Sequence, residues 1–135
     1  MSISLRELKG VSDEMAEKLK GHNLSNVDNF LEKAATKAGR RELANASGVE
    51  ESLILEVANR ADLARLDGVA GVYSDLLESA GVDTVKELAH RNAENLHAKL
   101  LEVNESLQLT QRPPGLSQVE DFIEQAKGLK PMIEH

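Results

Sequence analysis

Gly10 and Gly68 stand in the same short pattern of apolar, any residue, Gly, apolar and small residue: Leu8-Lys9-Gly10-Val11-Ser12 and Leu66-Asp67-Gly68-Val69-Ala70. A glycine there lets the chain reverse tightly between two helices, and the valine after it turns into the core. The small residues Ala16 and Ser74 further on let those helices approach closely. The next helix begins with amides that have no partner of their own, and such amides, at the positive end of a helix, can seat a phosphate. The chemistry on offer is anion binding by backbone nitrogens at Gly10, Val11 and Ser12, with Lys9, Lys18 and Lys20 adding charge. Asp13, Glu14 and Glu17 lie on the same helix and oppose it. Around Gly68, Val69 and Ala70 stand Asp67, Asp75 and Glu78 with no Lys or Arg nearby, so the second bend reads as structural only. Lys33, Lys37, Arg40 and Arg41 are the densest other basic group, either a second phosphate-facing patch or simply a solvated helix face.

The elements that hold these residues read as helices throughout. Ser12 caps a helix carrying Met15, Ala16 and Leu19 on one face and stopping at Gly21. Ser25 or Asn26 caps the next, with Val27, Phe30, Leu31 and Ala34 inward. Thr36 opens a third that ends at Ser47-Gly48, and Leu53, Ile54, Val57, Ala58 and Ala61 mark a longer one. Asp62 is expected to cap a short segment ending near Leu66, and Gly71 to Ala80 to form a helix stopped by Gly81. Thr84 and Glu87 have capping-box spacing. Asn92 begins a run to about Leu107 that buries Leu96, Leu100, Leu101 and Val103. Thr110 to Gly115 holds two consecutive prolines and must be a loop. Ser117 and Glu120 form a second capping-box pair before Val119, Phe122, Ile123 and Ala126, with Gly128 past the helix end. With only Phe30, Tyr73 and Phe122 as aromatics, the core must be aliphatic, which favours helices over strands.

The two bends belong to a longer repeat. In the register that sets Leu8 over Leu66, Met15 falls on Tyr73, Leu19 on Leu77, Leu24 on Val82, Val27 on Val85 and Phe30 on Leu88. The pattern resembles the helix-hairpin-helix motif of DNA repair and replication proteins, which implies contact with backbone phosphates without base readout. Three longer stretches, GRRELANASGVEESLILEVANRADLARLDGV, YSDLLESAGVDTVKELAHRNAENLHAKLLEVNE and LSQVEDFIEQAKGL, resemble the bacterial family of domain of unknown function 4332. That resemblance implies paired helix-hairpin-helix units and no particular activity. The expected fold is all-α: two tandem helix-hairpin-helix (SAM-like) repeats, 1–65 and 66–135, sharing apolar surface in one compact helical domain. The loop at 110–115 is an insertion in the second repeat.

Composition bounds the function. The 135 residues carry 16 Lys+Arg against 23 Asp+Glu, a net charge of −7, which opposes polyanions at long range. Residues 1–67 hold 10 basic and 12 acidic side chains and residues 68–135 hold 6 and 11, so the first half is the less acidic. No apolar run spans a membrane, and the absence of Cys excludes disulfides and thiolate chemistry and points to a cytoplasmic, reducing setting. The histidines His22, His90, His97 and His135 lack ligand spacing, so no metal is expected. No nucleophile elbow, Walker loop or dinucleotide glycine pattern occurs, so neither an enzyme, a cofactor nor a small-molecule substrate is expected. Two readings stand: a weak, sequence-independent binder of duplex DNA backbone, and a protein-interaction adaptor in which the bends merely pack helices.

Overall fold

The structure, a computed structural model, describes residues 4–8, 11–22, 24, 26–69, 72–130 and 132–133. Among them a 3-10 turn (Leu5–Glu7) precedes eight helices: α1 (Asp13–Lys20), α2 (Val27–Ala34), α3 (Lys37–Ser47), α4 (Glu51–Leu63), α5 (Val72–Ser79), α6 (Val85–Ala89), α7 (Ala93–Leu107) and α8 (Leu116–Lys127). The chain is all-α; the only extended pairing among the described residues is an isolated antiparallel bridge between Ser4 and Asn26. No described helix is long and apolar enough to cross a membrane.

Local chemistry starts most of the helices. Ser12, Asn26, Thr36, Thr84 and Asn92 each accept a backbone N–H from three residues on, at 3.1, 2.8, 3.0, 3.3 and 3.0 Å, which satisfies a donor the helix cannot. Gly48 ends α3 at φ +80°, a left-handed conformation that favours glycine.

Backbone bonds recur in the register that sets Leu8 over Leu66. Leu8 donates to Leu5 O at 3.2 Å and Leu66 to Leu63 O at 3.2 Å; Val11 donates to Leu8 O at 3.4 Å and Val69 to Leu66 O at 3.2 Å. Past the following helix, Leu24 donates to Leu19 O at 3.1 Å and Val82 to Leu77 O at 2.9 Å. Ala16 and Ser74, the small residues of the two patterns, are both buried.

Packing centres on two apolar clusters, and each takes residues from both halves of the chain: Ile133 packs against the first and Leu63 lies in the second. Phe30, Leu19, Leu43, Ile54 and Val57 centre the first; Leu63, Leu76, Leu88, Leu96, Leu100 and Phe122 centre the second. Helix α4 gives residues to both, since its length carries Leu63 past the first cluster. Helix α2 packs on α3 and α4, α6 and α7 pack on α8, α5 packs on α7, and α4 meets α5 at the junction. Each fully buried Leu or Phe contributes about 1.5–3 kcal/mol of burial to its cluster.

Four sequence expectations are corrected. Asp62 caps no segment of its own: it lies inside α4, 1% exposed, and its carboxylate accepts the Val85 N–H at the start of α6 at 2.8 Å. Helix α8 begins at Leu116, before the expected Ser117, because Gln118 reaches back to accept the Gly115 N–H at 3.0 Å. Glu87 does not complete the box at Thr84; its carboxylate faces Arg91 at 3.5 Å. Leu101 is 42% exposed, so the buried stripe of α7 is narrower than expected. Ser25 and Gly71 lie outside the described residues.

Candidate nucleic-acid interface

At the first bend, Lys9 and Gly10 lie outside the described residues; Val11, Ser12, Lys18 and Lys20 are within them. Val11 spends its amide on Leu8 O, and Ser12 Oγ takes the amide of Met15. The amides of Ser12, Asp13 and Glu14 have no partner among the described residues, and all three residues are exposed.

Its electrostatics are mixed. Lys18 pairs with Glu14 at 3.3 Å along the helix, and Lys20 is exposed with no ion pair among the described residues. Arg6, which sequence reasoning passed over, reaches from the 3-10 turn to Asp13 at 2.7 Å and Glu17 at 2.6 Å. Two of the three carboxylates expected to repel a polyanion, Asp13 and Glu17, are thus already matched to one cation. Its place in the chain gives no hint of this, because the turn brings Arg6 back over α1.

The second bend is covered at Asp67 and Gly68. Gly68 has φ +89°, and a Cβ built there would lie 3.3 Å from Phe122 Cε1, so the ring of α8 presses on the bend. Gln125 clamps it as well, accepting the Asp67 N–H at 2.9 Å and donating to Asp67 O at 3.3 Å. Val69 is buried, and Ala70 lies outside the described residues. The acidic side chains here also have a cation that the sequence reading missed. Arg60 of α4 bonds Asp75 at 2.9 Å and Glu78 at 3.3 Å, with all three side chains largely buried.

Glu78 Oε2 is buried with no hydrogen-bond partner among the described residues. Burial pushes the Glu78 carboxyl above the ordinary glutamate range; Arg60 opposes this, while Glu56, Asp83 and Asp75 add to it. A raised acid binds its proton more readily folded than unfolded, so ionisation of Glu78 weakens the fold as pH rises through its folded pKa, and that loss is reversed as pH falls. In Glu78→Gln this term is absent. Thermal melts between neutrality and the ordinary glutamate pKa should therefore show wild type gaining on the variant as pH falls; a constant difference would refute the assignment.

The second basic group does not form one face. Arg40 is 3% exposed and its guanidinium donates to the carbonyls of Ala34 and Ala35 at 2.8 and 3.2 Å, tying the end of α2 to α3. Lys33 bonds Glu42 at 2.7 Å and holds that carboxyl below its usual range. Lys37 and Arg41 are exposed. Among the described residues no three His, Cys, Asp or Glu side chains gather as metal ligands.

A family model, domain of unknown function (DUF4332), matches residues 9–129, a span that takes in both bends and all eight helices. No curated protein and no solved structure matches the chain.

Proposed function

The chain belongs to the DUF4332 family, and from that premise we propose that it is a non-catalytic module of two tandem helix-hairpin-helix units that contacts the backbone of duplex DNA weakly and without base readout. One observation carries the reading: at the amino end of α1 the Ser12, Asp13 and Glu14 amides have no hydrogen-bond partner among the described residues, and all three residues are exposed. Contact is one-sided, at the amino end of α1, with Lys18 and Lys20 flanking the phosphate. The second unit then serves as a scaffold.

Such a footprint neutralises few phosphates, so affinity should fall with salt at a log–log slope of roughly −2 and be measurable only at low ionic strength. Fluorescence anisotropy with labelled duplex DNA tests this directly. Lys18→Ala with Lys20→Ala should weaken association several-fold, uniformly across sequences. A flat wild-type response at low salt would leave the second reading, a protein-interaction adaptor. That reading is favoured by the net charge of −7 and by the packing of Phe122 and Gln125 on Gly68 and Asp67.

A further inference from the structure

We infer that Arg6 is the side chain that takes the phosphate at the first bend, and that Asp13 and Glu17 are its internal competitors. The inference rests on the reading of that bend as a DNA-backbone face and names the residue and the regulation the face uses. The 3-10 turn presents Arg6 in a set position. Ser4 Oγ accepts the Arg6 N–H at 3.4 Å, and Glu7 accepts the Ser4 N–H at 2.8 Å. From there Nη1 donates to Asp13 Oδ1 at 2.7 Å and Nη2 to Glu17 Oε1 at 2.6 Å.

Two oxygens from successive turns of α1 thus occupy the two prongs of one guanidinium fork. A phosphodiester offers the same pair of anionic oxygens from a single group, the geometry arginine matches best. Beside this fork is a groove of about 220 Å3 lined by Ser4, Leu5, Arg6, Ala16 and Lys20. A phosphate entering it meets Lys20 as well as Arg6. The carboxylates do not hold Arg6 firmly, since Asp13 is 96% and Glu17 64% exposed, and exposed pairs are weak. Once displaced, however, they stay beside the phosphate and repel it. They set how weakly the site binds.

The test is anisotropy with a short fluorescein-labelled duplex at low salt, comparing wild type with Asp13→Asn/Glu17→Gln. A control, Glu105→Gln/Glu120→Gln, changes net charge equally at exposed carboxylates of the second unit. The first pair should tighten binding by roughly three- to tenfold, the control by much less, and adding Arg6→Gln to the first pair should abolish the gain. Far-UV circular dichroism confirms helix content in each. Equal gains from both pairs, or a gain that survives Arg6→Gln, would overturn the role of Arg6 while leaving the DNA reading intact. No binding by any form would overturn both. Inorganic phosphate should compete no better than chloride at equal ionic strength; stronger competition would reassign the seat to the free ion and overturn the duplex assignment.

Discussion

Gly39→Ala is expected to destabilise the protein by about 3 kcal/mol or more, because the added methyl has nowhere to go. A Cβ at this position would lie 2.0 Å from the Lys33 carbonyl oxygen and 3.2 Å from its carbonyl carbon, with Thr36 Oγ1 at 3.0 Å. The obstacle is backbone, and it belongs to the last turn of α2, so relief requires α2 and α3 to separate. That movement would pull Arg40 off the Ala34 and Ala35 carbonyls and open the cluster around Phe30 and Leu43. Glycine is needed for close approach here. Gly21→Ala is the matched control, since its Cβ would meet Lys18 O at 3.5 Å and Glu17 O at 4.0 Å, both ordinary contacts. Urea unfolding should separate the two variants clearly; a Gly39→Ala midpoint within error of wild type would show that the α2–α3 contact is looser than described.

The second large effect is expected at Asp62. Its Oδ1 accepts from Arg65 at 2.8 Å and its Oδ2 from the Val85 N–H at 2.8 Å, so one buried carboxylate both neutralises a cation and caps a helix 23 residues away. Asp62→Ala leaves the Val85 amide inside the protein without an acceptor and Arg65, only 17% exposed, without its counter-charge. Removing one partner of such a pair costs about 3–5 kcal/mol. Arg65 also donates to Lys130 O at 2.9 Å. Hydrogen exchange gives the specific readout: the Val85 amide should be protected in wild type and exchange rapidly in Asp62→Ala. Arg65→Met should cost less, and the double variant less than the sum, because the stranded charge is gone. Strict additivity would mean the two side chains are not coupled.

These two residues mark the boundary between what was legible in the chain and what was not. From sequence, Gly39 is an unremarkable weak helix former and Asp62 a candidate cap for its own segment. The helices themselves were readable because the interactions that start them span three or four residues: Ser12 with Met15, Asn26 with Asn29, Asn92 with Asn95. The same locality explains why the apolar stripes were readable, apart from Leu101, and why the register linking Leu8 with Leu66 reappears as matching backbone bonds.

By itself, then, the sequence determined that the chain is helical, where most helices begin, and that two glycine bends recur in one register. Only the tertiary structure decided what covers Asp67 and Gly68, because Phe122 and Gln125 sit more than fifty positions away along the chain. It also decided which charges are free. Arg40 turns inward, Arg60 crosses to α5, and Arg6 folds back over α1, each drawn to oxygens supplied by a different element. Caps and periodicity act over one or two turns of chain, whereas shielding and charge pairing depend on what the rest of the molecule brings alongside.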